Sequence, residues 1–168
     1  MDVEIVKKEG TIGPEQLSEL ELGLTVLWNS VRRWMNQRSK ASLIAGLSDL
    51  DTFLLHLLVY RERPLRATDL AFALSIDDMH LVSYSLKKLV RLEAVKTARL
   101  GKEMVYSATE KGQQHYAEYL ADRKRYLEPA MRYFSAGEFD AEGLKDLFRA
   151  MSAVYEQAAR AAASEKGS

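Results

Sequence analysis

The sequence predicts a mainly α fold with a small β-wing, of the α+β class, and three observations carry that prediction. Apolar residues recur at steps of three and four through most of the 168 residues, the period of helices buried on one face. One pair of β-prone runs, 94–100 and 103–108, is joined by Gly101-Lys102, a hairpin signal. Two short helical patterns stand just before that pair and a long one follows it. The order helix, turn, helix, wing from Pro64 to Tyr116 is the layout of a winged helix-turn-helix.

Residues 1–13 hold two glycines and no helical period, and read as a flexible N-terminal arm. Pro14 suits the first turn of a helix, where its missing N–H costs nothing. Leu17, Leu20, Leu24, Leu27, Val31, Trp34 and Met35 then form a stripe, widened by Trp28, on a helix expected to reach about Arg38. Ser48 is a good N-cap for a second helix carrying Leu50, Phe53, Leu54, Leu57 and Leu58 and stopping before Pro64. Asp49 and Asp51 favour its positive end. Thr68 and Asp69 open a short helix over Leu70 to Leu74, and Ser75 to Asp77 form a turn. A further helix runs from about Asp78 to Leu92 with Met79, Val82, Leu86, Leu89 and Val90 inward.

After the wing, Thr109 caps a helix holding Tyr116, Leu120, Leu127, Met131 and Phe134, with a kink or break expected at Pro129. Ala136-Gly137 reads as a turn. Leu144, Leu147, Phe148, Met151, Val154, Tyr155 and Ala158 mark a last helix, which fades into a disordered polar tail, 164–168. Residues 14–163 thus make one domain. Its part 48–108 is the winged helix, and 14–47 and 109–163 are long N- and C-terminal helices that must bury their stripes elsewhere.

Composition narrows the function. There are 24 basic and 24 acidic residues, so any nucleic-acid surface must be local. With no cysteine, disulfides, thiolate metal sites and cysteine nucleophiles are excluded. The three histidines, His56, His80 and His115, share no metal-ligand spacing, and no cofactor is expected. Residues 1–5 lack the pattern of a signal peptide, and no apolar run approaches the ~20 residues of a membrane span. A cytoplasmic protein without membrane partners is expected. No phosphate loop, nucleophile elbow or metal box occurs, and the acidic pairs sit at helix starts where capping accounts for them. The chain is not read as an enzyme.

One local excess stands out. Between Tyr84 and Lys102 there are six cations, Lys87, Lys88, Arg91, Lys96, Arg99 and Lys102, against one acid, Glu93. Concentrated charge of this kind suits a face that meets phosphates. In a helix-turn-helix the second helix enters the major groove. Its outward positions here are His80, Ser83, Tyr84, Lys87, Lys88 and Arg91, and Arg99 and Lys102 lie near the wing tip. These eight are the candidate DNA-binding residues. Asp77 and Asp78 would oppose phosphates if they faced outward, and Asp77 is taken as the N-cap.

The run Leu86-Lys87-Lys88-Leu89-Val90-Arg91-Leu92-Glu93-Ala94-Val95, the two strands and Ser107-Ala108-Thr109-Glu110-Lys111-Gly112 together resemble the MarR (multiple antibiotic resistance regulator) family. The order of all six helices agrees over residues 14–163. The resemblance implies a homodimeric transcriptional regulator on palindromic double-stranded DNA, with recognition helix 78–92 and wing 94–108. The chain departs from the family in three places. Its wing lacks the usual aspartate-x-arginine motif, Glu93 replaces the glycine that ends the recognition segment, and Tyr84 stands where many members carry arginine.

The stripes 17–35, 127–134 and 144–155 could build a dimer interface above the ~1,200 Å² floor of stable contacts; packing within one monomer is the other solution. The resemblance also implies a small aromatic effector, for which Trp28, Trp34, Tyr60, Tyr116 and Tyr119 are the candidate lining. Aromatic residues at helical spacing are more often core, so no ligand is assigned. His56 reads as a packing residue. The rival function is a winged-helix protein–protein interaction module that has lost DNA binding, which the neutral charge and the altered wing would suit.

Overall fold

A computed structural model describes residues 12–131 and 140–165 of the chain. The expected arm up to residue 11, Phe134, the Ala136-Gly137 turn and residues 166–168 lie outside the described residues. The chain divides into two units between Ala121 and Asp122.

The first unit opens with α1, Pro14–Ala41. Pro14 occupies its first turn, and the Gly13 N–H donates to Gln16 Oε1 at 3.0 Å. The stripe is covered mainly at its C-terminal end: Met35 is buried and Leu24, Val31 and Trp34 are half-buried, whereas Leu17, Leu20 and Leu27 face solvent. α2, Asp49–Arg61, starts at Ser48 as expected, with Ser48 Oγ accepting from the Asp51 N–H and Asp51 Oδ2 accepting from the Ser48 N–H. Besides Leu54 and Leu58 it buries Leu55 completely, because neighbours pack on more than one of its sides.

α3, Ala67–Ala73, begins one residue earlier than expected, since Asp69 reaches back to the Arg66 N–H at 3.1 Å. α4 spans Met79–Arg91 and packs on α2 and α3. Its Val82, Leu86 and Leu89 join Leu54, Leu55, Leu58 and Leu70 in one fully closed core. β1, Val95–Leu100, and β2, Glu103–Ala108, pair antiparallel with Leu100 opposite Glu103. Gly101 has φ of +64°, which the first central position of a two-residue primed turn requires. Leu65 adds a single bridge to Tyr106 through hydrogen bonds of 2.8 and 3.0 Å, so the wing is tied to the segment before α3.

α5, Glu110–Asp122, follows from Thr109. The Thr109 hydroxyl accepts from the Gly112 N–H at 3.2 Å and donates to the Glu93 carbonyl at 2.6 Å. A Cβ on Gly112 would stand 2.3 Å from the Ala94 carbonyl oxygen, so the Thr-Glu-Lys-Gly sequence marks a close approach of helix to strand. α5 buries His115 and Tyr119 rather than Tyr116 and Leu120, its turn onto the core being set by that contact.

In the second unit a π-helical turn, Arg123–Leu127, leads into α6, Glu128–Met131. The irregularity expected at Pro129 therefore lies just before it. Proline cannot donate to the carbonyl four residues earlier and its ring crowds it, so the widening falls in the preceding turn. α7, Ala141–Glu165, is longer than expected, running through the alanines, and leaves Leu147, Phe148, Val154 and Tyr155 exposed. No helix among the described residues is long and apolar enough to cross a membrane.

Candidate nucleic-acid interface

α4 is aimed by its two ends and by one buried clip. At its start, Asp78 rather than Asp77 is the N-cap: Oδ1 accepts from the His80 N–H at 2.8 Å and, more loosely, from the Leu81 N–H at 3.4 Å. The chain leaves the Ser75–Asp77 turn one residue later than expected, which hands the capping role to the second aspartate. Its carboxylate is thereby turned to backbone donors, as the helix dipole favours.

At the other end the Glu93 N–H donates to the Val90 carbonyl at 2.9 Å and the Ala94 N–H to the Leu89 carbonyl at 3.0 Å. This is the 6→1, 5→2 pattern of a Schellman cap. It demands a left-handed residue, and Glu93 supplies it with φ of +60°. The cap therefore keeps its geometry without the usual glycine.

The clip joins α4 to α2. Asp51 is 1% exposed. Its Oδ2 takes the Lys88 ammonium at 2.6 Å, and its Oδ1 accepts a very short bond from the Ser85 hydroxyl. Lys88 also donates to the Gly46 carbonyl at 2.8 Å. Burial pushes the Asp51 carboxyl up, but the bonds from Lys88, Ser85 and Ser48 outweigh it and hold the group below its ordinary value of 3.8.

The eight candidates consequently separate. His80, Tyr84, Lys87 and Arg91 stand exposed on α4, and Ser83 is half-buried beside them. Arg99 and Lys102 are exposed on the wing. Lys88 is not brought to that face, because its stem runs back to Asp51. Lys96, counted in the local excess but not among the eight, is exposed on β1 opposite Ser107.

Lys87, Arg91, Lys96, Arg99 and Lys102 make no ion pair among the described residues. Two nearby acids are engaged elsewhere: Glu93 lies 3.7 Å from Lys111, and Glu103 takes Arg66 at 3.2 Å. Arg66 also pairs with Asp69 at 2.8 Å. Hydrogen bonds to Asp69 and Glu103 raise the Arg66 pKa, and those from Arg66 pull Asp69 down to about 2. This three-residue strap links the start of α3 to the wing, and no local pattern foretells it because Arg66 and Glu103 are 37 residues apart.

Two of the clefts among the described residues lie in the first unit. One, of about 390 Å³, is lined by Trp28, Asp49, Leu50, Phe53, Leu74 and Ile76, with the Trp28 and Phe53 rings stacked at 5.7 Å. The other, of about 540 Å³, lies between the end of α2 and the base of the wing and includes Arg63, Lys96 and Gln113. Of the five aromatic effector candidates only Trp28 lines either cleft. Tyr116 and Tyr119 pack on His56, at ring separations of 4.8 and 4.6 Å.

Residues 47–112 match the family described as a winged helix DNA-binding domain. No curated protein matches the sequence. Among solved structures, a MarR family regulator from Neisseria meningitidis is 16% identical with a TM-score of 0.63, over 89% of this chain and 98% of its own. FabT from Streptococcus pneumoniae, solved in complex with DNA, is 14% identical with a TM-score of 0.60, over 86% and 98%. The transcriptional regulator BldR from Sulfolobus solfataricus is 17% identical with a TM-score of 0.62, over 85% and 96%. At these identities the likeness is one of fold.

Proposed function

We propose that this chain, a divergent MarR-like winged helix-turn-helix protein by its fold, is a cytoplasmic, sequence-specific transcription regulator that binds palindromic DNA as a homodimer. In this reading α4 enters the major groove. Lys87 and Arg91 hold phosphates at its rim, and Arg99, Lys102 and Lys96 hold them from the wing.

One observation carries the proposal: among the described residues five cations on one helix and its wing have no acidic partner, while Glu103, Glu93 and Asp78 are tied to Arg66, Lys111 and a helix start. An aromatic effector belongs to the same proposal only as an occupant of the Trp28–Phe53 cleft, where an apolar ring would meet stacked aromatic faces.

The test is fluorescence anisotropy over a salt series, with DNA from upstream of the protein's own gene and a shuffled duplex of equal length. A regulator binds with a log–log salt slope of about −0.9 per phosphate contacted, and prefers one duplex once its operator is included. Absence of binding to either at low salt would transfer the fold to the protein–protein interaction module.

A further inference from the structure

If α4 enters the major groove as proposed above, its first two turns are the part that meets base edges. Those turns, Met79 to Leu86, contain no arginine, lysine, asparagine, glutamine or acid. Bidentate reading of guanine needs Arg or Lys, that of adenine needs Asn or Gln, and the cytosine amino group calls for a carboxylate. Of the two carboxylates just before these turns, Asp78 is occupied by backbone N–H groups, and Asp77 lies in the preceding turn, outside the helix. Val82, Ser85 and Leu86 are buried, and Met79 and Ser83 half-buried. What remains outward is His80, Leu81 and Tyr84.

Two of these three are large and apolar and stand open to solvent: Tyr84 is 70% exposed and Leu81 53%. Spaced three apart, they are neighbours on one face of the helix. Neither side chain has a hydrogen bond, ion pair or ring contact among the described residues. Beyond them the same face turns cationic at Lys87 and Arg91. The helix thus changes from apolar to charged along its length, apolar where bases lie and charged where the backbone passes.

Thymine is the one base with an apolar group in the major groove, its 5-methyl. We propose that α4 reads thymine through that methyl group, with Tyr84 and Leu81 as the specificity-determining side chains, instead of reading purines through polar forks.

The experiment uses the full-length protein and a duplex enriched by binding selection from a random library. Each thymine of the enriched half-site is replaced in turn by deoxyuridine, which lacks only the methyl. Loss of one methyl contact should weaken binding about four-fold. Tyr84→Phe keeps the ring and should keep this sensitivity; Tyr84→Ala and Leu81→Ala should reduce it, with circular dichroism unchanged because both side chains are on the surface. Equal affinity for every deoxyuridine duplex, or loss of base preference in Tyr84→Phe, would overturn the proposal in favour of polar reading by the Tyr84 hydroxyl or His80. Salt-steep binding with no base preference would overturn it while leaving the DNA-binding reading intact. No binding at low salt would remove both.

Discussion

The Lys88 ammonium lies 2.6 Å from Asp51 Oδ2, so one of the cations of α4 serves the interior of the domain. The pair is partly withdrawn from water, with the Lys88 side chain 22% exposed. It fixes α4 on the first turn of α2, and two adjacent lysines acquire opposite roles. Removing one partner of a buried pair leaves an uncompensated charge, which costs about 3 kcal/mol.

Lys88→Met should therefore lower stability by about that amount, read from urea unfolding, while Lys87→Ala leaves it unchanged. In DNA binding the order reverses: Lys87→Ala flattens the salt slope by about 0.9. The depressed Asp51 pKa means the unfolded chain takes up a proton first as pH falls. Its contribution is complete above 3.8 and is lost as pH drops through the lower folded value. Lys88→Met should accordingly move the acid-unfolding midpoint to higher pH.

Glu93 offers a stabilising substitution. It holds φ of +60° at the end of α4, where a side chain crowds the following carbonyl. A left-handed non-glycine residue costs roughly 1–2 kcal/mol, and the exposed contact with Lys111 at 3.7 Å offsets little of it. Glu93→Gly should raise stability by about 1 kcal/mol, checked by thermal unfolding, with no change in the salt slope.

What could be read from the chain alone follows the range of each interaction. The Ser48 cap, the Gly101-Lys102 turn and the Val82–Leu86–Leu89 face are set by residues within a few positions of one another, and the structure has them where the sequence placed them. The Asp51–Lys88 clip and the Arg66–Glu103 strap span 37 residues each, and nothing local distinguishes Lys88 from Lys87. Helical position alone put both lysines outward, and only the packing of α4 on α2 tells them apart. The Asp77–Asp78 choice was missed for another reason: either aspartate could cap, and the length of the preceding turn decides. Glu93 carries no cap signal in the sequence, because the left-handed position of such a cap is ordinarily a glycine.

His115 gives the domain a dependence on pH near neutrality. It is buried on α5, its Nδ1 has no hydrogen-bond partner among the described residues, and its ring faces His56 at 6.3 Å. Burial pushes its pKa below 6.5, against a smaller opposing effect of Glu118. The folded state then binds fewer protons than the unfolded one between the lowered value and 6.5, so stability rises with pH through that window and falls on acidification. The slope is at most about 1.4 kcal/mol per pH unit for one group. Unfolding measured on both sides of that window should show the decline, and His115→Leu should flatten it. A slope that survives this substitution would assign the effect to another group.

The proposed homodimer is tested through apolar residues that the single chain leaves exposed. Leu27 on α1 and Val154 on α7 are both exposed, within stripes that also expose Leu17, Leu20, Leu147 and Phe148. Sedimentation should give twice the 19.0 kDa chain mass, and Leu27→Glu with Val154→Glu should return it to one, since a charge on each stripe opposes burial. The DNA consequence follows from tethering. A second head held in place adds avidity of about a hundred-fold or more only when both half-sites present the same side of the duplex. Recognition helices about 34 Å apart match one helical turn. Inserting about five base pairs between half-sites turns the second one to the far side and should lower wild-type affinity to that of a single half-site. The double variant should bind both duplexes equally and weakly; equal binding by the wild type would mean that the heads act independently.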